Sequence, residues 1–345
     1  MNCHKRTNQT RSRLFRGALA CLILGLTALG GRGADLTVLK VPAKSGGQAI
    51  QEALDHLSRG GEVDLEAGTY LVQRPIMLDC NHLTLRGAGP ATILYLADQA
   101  NCPVLVLGAP ASPARGPITD LRLADLTIDG NRRHQNVELW HTATDGAMLN
   151  NNGIDVWDVT DARIEHVTCC HCRSGGLVTA SGTRRLIVDD FVAFDNQFDG
   201  LACYLTEDSR FSRLFLHDNL AAGISLDLDF NHNVIENACL TNNDVGIFMR
   251  SSRRNTFHQL KIQQSRRHGI FIAQTLAPTL KGWQLRPGTE CINNSFDHLD
   301  IGHCGGKAFL INDASCTNNL VSAATILDTV PTSAASTPAK ELAAH

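Results

Sequence analysis

The chain has 345 residues, of which 43% are hydrophobic, 19% charged and 5% aromatic, a balance that excludes a disordered chain and a multi-span membrane protein. Its formal charge of −3 hides an uneven layout: six cations precede the first acid, Asp35, and the rest carries 25 Lys plus Arg against 34 Asp plus Glu, a net of −9. A global nucleic-acid binder needs the opposite sign, so nucleic acid is excluded as a partner.

Residues 1–16 hold five cations and no acid, and residues 17–31 (GALACLILGLTALGG) form an apolar run of 15 ending in small residues. A basic start, a short apolar core and a small-residue end describe a secretory signal. The run is shorter than the roughly 20 residues of a spanning helix, so no stable membrane insertion is expected once it is cleaved. Residues 1–34 are therefore read as a signal peptide, and the mature protein as secreted or periplasmic. Twelve cysteines become ten when Cys3 and Cys21 leave with it. An oxidising compartment permits one or two bridges. The cluster Cys169, Cys170, Cys172 lacks a second pair at zinc-site spacing and is read as small core residues, so no metal site is assigned.

Residues 48–58 (QAIQEALDHLS) place Ile50, Ala53, Leu54 and Leu57 at i, i+3, i+4 and i+7, the pattern of an amphipathic helix. Short strand-like runs broken by turns follow it: EVDLEAGTYLV, PIMLD, HLTLRGAG and TILYL. Farther on, a Gly followed by an aliphatic residue opens a short strand at Gly153, Gly176, Gly200, Gly223, Gly246 and Gly269, at spacings of 23, 24, 23, 23 and 23. A second strand lies midway in each period, often preceded by Asn, as at Asn233, Asn255, Asn294 and Asn319. A fixed period without helices marks a β-solenoid whose units bury their apolar faces only by stacking. The fold class is all-β: a right-handed parallel β-helix over residues 35–328 with an N-terminal capping α-helix. The Asn residues are expected to form a stacked turn ladder. Residues 329–345, rich in Ala, Ser, Thr and Pro, read as a flexible tail.

Ala67–Tyr70 (AGTY), Leu83–Gly89 (LTLRGAG) and Leu126–Asn131 (LTIDGN), with the preceding helix, resemble the opening elements of the secreted pectate-lyase-like β-helix superfamily. The resemblance covers roughly residues 45–325 and implies the fold. It does not imply one reaction, because this fold hosts lyases, hydrolases, epimerases and non-catalytic adhesins. Residues 153–158 (GIDVWD) are similar to the Gly-Phe-Asp-Pro-His-acid motif of mannuronan epimerases, with Asp155 and Asp158 at the two acids but Trp157 in place of His. Residues 150–155 (NNNGID) are similar to the start of the polygalacturonase motif, but Ser174, Gly175 and Gly176 stand where its second acid pair is expected. Pectate lyases pair an Arg base with calcium; Ca²⁺ is accordingly a conceivable cofactor, with no matching motif.

Strand side chains alternate faces. Counted from each Gly, positions +1 and +3 are nearly all apolar and face inward, so +2 and +4 face out. The +4 row reads Trp157, Ala180, Tyr204, Asp227, Arg250 and Ala273. Stacking at about 4.8 Å makes Tyr204, Asp227 and Arg250 neighbours, with Trp157 two coils away. Rings beside an acid and a guanidinium suit a sugar chain. Arg253 and Arg254 in the following turns favour an anionic polysaccharide. Abstraction of the uronate C5 proton needs a neutraliser, Arg250 or Arg253, and a base, Tyr204 or His232. That points to β-elimination or C5 epimerisation, with Asp155, Trp157, Asp158, Arg253 and Arg254 contacting substrate. Two other readings stand beside it. Asp227 and Asp229, if extended, lie about 6.5–7 Å apart, compatible with inverting hydrolysis. The same ladder also serves a non-catalytic polysaccharide-binding or surface protein. The non-repeating stretch 132–151, with His134, Glu138, Trp140, His141 and Asp145, and the insertion 274–290, with Trp283 and Arg286, are expected to wall the cleft.

Overall fold

A computed structural model describes residues 36–110, 116–137, 151–279, 282–285 and 287–327. The expected signal segment and tail lie outside these residues. Everything described belongs to one compact unit that begins at Leu36.

The chain opens with a strand, Val38–Val41, and an α-helix, Gly46–His56. Ile50 and Leu54 of this helix are buried, and the helix packs on the strands Gly68–Val72 and Ile76–Leu78. The apolar stripe thus covers the open end of the stack, as the sequence pattern predicts. From there the chain coils through three parallel sheets of 14, 9 and 6 strands, plus one two-stranded hairpin. The longest sheet stacks eight-residue strands, among them Arg163–Cys170, Ile187–Phe194, Arg210–His217, Val234–Thr241, Thr256–Gln263 and Ser295–Gly302. Every strand predicted midway in a period lies in this sheet. The nine-stranded sheet holds the strands that follow each Gly, such as Leu201–Tyr204, Ala222–Asp227 and Val245–Met249. The antiparallel hairpin, Leu276–Thr279 with Gly282–Leu285, is the insertion that stretches one period.

The interior is continuous. The +1 and +3 residues Ile154, Val156, Leu201, Cys203, Ile224, Leu226, Ile247 and Met249 are fully buried. Aromatic rings stack along the axis, with Phe257 and Phe296 at 4.6 Å. Two asparagine ladders hold the corners. In one, Asn233, Asn255 and Asn294 each donate Nδ2 to the Oδ1 of the next, ending at Asn319, at 3.3, 3.0 and 2.8 Å. The other, through Asn196, Asn219 and Asn243, has bonds of 2.9 Å and was not anticipated. Buried amides paired in this way satisfy both their own polar atoms and the turn backbone. The ten described cysteines are all free thiols, so no bridge forms among the described residues.

The repeating glycine is set by coil spacing. A Cβ on Gly246 would lie 2.4 Å from both the Gly269 carbonyl oxygen and Ile262 Cγ2. Gly246→Ala is therefore expected to destabilise the protein by about 1–3 kcal/mol through overpacking, read as a lower urea midpoint at constant slope.

Candidate functional site

A cleft of about 120 Å³ opens on the outward face of the nine-stranded sheet. Small residues make its floor: Gly175, Ala202, Ala222 and Ser225. Bulkier neighbours, Phe198 and Phe248 among them, rise beside it. The +2 row does face outward, but it is not solvated: Asp155, Ala202, Ser225, Phe248 and Phe271 are all buried.

Asp199, Tyr204 and Arg250 line this cleft, together with the polar side chains of Asn152, Ser174, Ser225 and Arg267. Asp199 stands one residue before Gly200, and its Oδ1 accepts the Ala222 backbone N–H at 2.8 Å. Burial pushes its carboxyl up to about 7, against the lowering effects of that hydrogen bond and of Arg250. Tyr204 is paired in register with Asp227. Burial, with the Asp199 and Asp227 carboxylates, pushes its phenol far above its ordinary value, although a Ser225 hydrogen bond opposes this. The Tyr204 phenol therefore holds its proton strongly in this site.

Arg250 lies with its guanidinium 4.9 Å from the Phe248 ring centre and its Nη2 2.7 Å from Asp227 Oδ2. Its Nε is buried with no partner. Asp227 is 4% exposed, and its Oδ1 accepts from the Leu228 N–H at 2.8 Å and the Thr275 hydroxyl at 3.3 Å. Its carboxylate is therefore occupied by three protein donors.

The remaining expected residues lie elsewhere. The strand ends at Asp227, and Leu228 and Asp229 turn through φ of 49° and 66°. Asp229 is exposed and meets the Ser251 hydroxyl, so the extended geometry expected for an Asp227–Asp229 pair does not form. The left-handed turn redirects the side chain that an extended strand would have aligned. His232 sits in the next turn, with Arg254 Nη1 3.4 Å from its Nε2, and Arg254 is exposed. Arg253 is held by Glu290 and the Gly288 carbonyl at the end of the insertion. None of these four lines the cleft. Asp155 is buried one coil away, with Asn152 Nδ2 2.6 Å from its Oδ1. The register shifts at Trp157, which pairs with Ser181 instead of Ala180 and leaves the expected +4 row. Asp158 is in a left-handed turn against Gly182. Of the expected walls, His134 bonds Asn131, while Glu138, Trp140, His141 and Asp145 and the side chains of Trp283 and Arg286 lie outside the described residues.

Asp199 is the functional candidate that sequence reasoning missed. The available signal is an acid at the position before the repeat glycine, where other coils carry Asn152, Gly175, Ala222 and Val245. Its raised carboxyl has a thermodynamic consequence. Between its ordinary 3.8 and about 7 the folded chain keeps a proton that the unfolded chain releases, so this group lowers stability as pH rises through that window. Asp199→Asn is expected to lose less melting temperature than the wild type between pH 4 and 7, as a calorimetric pH series reads.

Residues 126–286 match the family model described as periplasmic copper-binding protein (NosD). No curated protein matches the chain. Among solved structures, the A-module of a mannuronan C-5 epimerase of Azotobacter vinelandii is similar at 16% identity and TM-score 0.52, covering 84% of this chain and 95% of that one. A polygalacturonase of Erwinia carotovora ssp. carotovora is similar at 13% identity and TM-score 0.56, covering 89% and 85%. The N-terminal fragment of gene product 12 of bacteriophage Phi29 is similar at 14% identity and TM-score 0.58, but this chain spans half of its length. The chain has the right-handed parallel β-helix fold that these structures share.

Copper is the ion that the matched family's description implies. Within the matched span, the β-helix brings together one thiol–imidazole–carboxylate group among the described residues: Asp129, Cys170 and His171, with ligand atoms all within 4.8 Å. Such donors suit copper or zinc, so the residues fit the ion in chemical type.

Proposed function

We propose that this β-helix is an exported carbohydrate-active protein that transfers protons on an acidic, uronate-containing polysaccharide, by β-elimination or C5 epimerisation. The observation that carries this reading is a carboxyl held up to about 7, Asp199, in the same cleft as a neutral phenol, Tyr204, and a guanidinium, Arg250. A base poised near the working pH combines availability with driving force. Asp199 takes the C5 proton. Tyr204 supplies a proton to the departing C4 oxygen or to the opposite face of the carbanion. Arg250, which lines the cleft, sets its positive charge beside the substrate's carboxylate as charge develops there. The likeness to a mannuronan epimerase and a polygalacturonase, both sugar-acting by name, supports a carbohydrate substrate. The matched family's periplasmic description supports export.

The test incubates the purified protein with pectate, alginate and a glycosaminoglycan. Ultraviolet absorbance, reducing ends and NMR of the recovered polymer are read together. Elimination gives an unsaturated-uronate absorbance, and epimerisation changes the uronate signals without shortening the chain. New reducing ends without absorbance mean hydrolysis and remove this reading. No change in any channel, with retained binding in an affinity gel, leaves a binding protein.

A further inference from the structure

We propose that Asp129, Cys170 and His171 form a binding site for a soft transition-metal ion of the copper or zinc type, away from the polysaccharide cleft. Asp129 and Cys170 are direct register partners on adjacent coils of the 14-stranded sheet. His171 follows Cys170 in a left-handed turn at φ 53°, which swings its ring back toward the same rung. His171 Nδ1 lies 3.0 Å from Asp129 Oδ2. One nitrogen, one oxygen and one sulfur thus converge within 4.8 Å, each from a different side chain.

Two features separate this group from the ordinary charge pairs of the sheet. Elsewhere on it an imidazole meets carboxylates alone, as His166 meets Asp125 and Asp190. Here a thiol completes the set. The outer surroundings also match those of a ligating histidine, whose second ring nitrogen usually faces a carboxylate. His171 Nε2 lies 3.6 Å from Asp195 Oδ2, and Arg132 Nη2 holds the other oxygen of Asp195 at 2.6 Å. The Phe194 ring, edge-on to His171 at 5.8 Å, limits the imidazole's rotation.

A bound cation displaces the thiol proton. Binding therefore exchanges one S–H proton for one metal–sulfur bond, without oxidation or reduction.

The experiment titrates the reduced full chain with Co²⁺ as an optical probe, and with Cu⁺ against a competing chelator. One equivalent is expected, with a thiolate-to-cobalt absorbance. The absorbance should vanish in Cys170→Ser, and Cu⁺ affinity should fall at least about tenfold. Asp195→Asn, which touches no ligand atom of the metal, should keep the absorbance and weaken binding by about 10–100-fold. Alkylation of Cys170, followed by mass spectrometry, should be blocked by Cu⁺ in the wild type; this readout needs no folded variant. An absorbance that survives in Cys170→Ser, or alkylation of Cys170 that Cu⁺ does not slow, overturns the site. Neither result bears on turnover of polysaccharide, so the two proposals fail separately.

Discussion

Asp199→Asn is expected to lower turnover of a uronate polysaccharide by about 10²–10⁴-fold, the usual contribution of a positioned acid–base group. The asparagine Oδ1 can still accept the Ala222 N–H, so the local turn keeps its bond. Loss of rate should then come from the missing proton acceptor and not from unfolding. The acidic limb of the wild-type pH–rate profile is expected near pH 7, where the raised carboxyl ionises, with activity rising above it. Tyr204→Phe should lower the rate without moving that limb, because the phenol stays protonated well past it. A wild-type limb near pH 4, or an Asp199→Asn variant with full rate, would remove Asp199 from the mechanism.

Asp227→Ala is expected to cost about 3–5 kcal/mol of stability, read as the shift in a urea unfolding curve of unchanged slope. The side chains of Asp227 and Arg250 are only 6% and 18% exposed, so removing the carboxylate strands a desolvated guanidinium. It also leaves the Leu228 N–H and the Thr275 hydroxyl without their acceptor. The double change Asp227→Leu with Arg250→Met should cost less than Asp227→Ala alone, because no charge is left unpaired. The pair therefore lies between the two roles weighed from sequence. Asp227 holds Arg250 in place, and of the two only Arg250 lines the cleft. An Asp227→Ala protein as stable as wild type would show that water reaches the guanidinium and that the pair is a surface contact.

Much of the architecture is legible in the chain because it repeats. Gly153 to Gly269 mark the coil period, the +1 and +3 residues mark the inside, and Asn233 to Asn319 mark one corner ladder. Stacking at a fixed spacing converts each of these patterns directly into a neighbour relation. The tightness of that stack shows at its nearly evenly spaced glycines, where a Cβ would meet the next coil's backbone.

The site is less legible because it depends on departures from the repeat. The turn at Leu228 and Asp229 separates two acids that alternation alone would align. The register shift at Trp157 takes an aromatic ring out of its predicted row. Burial raises both the Tyr204 phenol and the Asp199 carboxyl, and burial is a property of surrounding coils, not of either residue. Asp129 and Cys170 are 41 positions apart in sequence and meet only because adjacent coils bring them into register. Composition and period determined the compartment expected, the solenoid, its cap and its inward face. Which polar groups share a cleft, which carboxylate is already occupied and which thiol faces a carboxylate were decided by the tertiary structure, because turn dihedrals and desolvation are set by neighbours far apart along the chain.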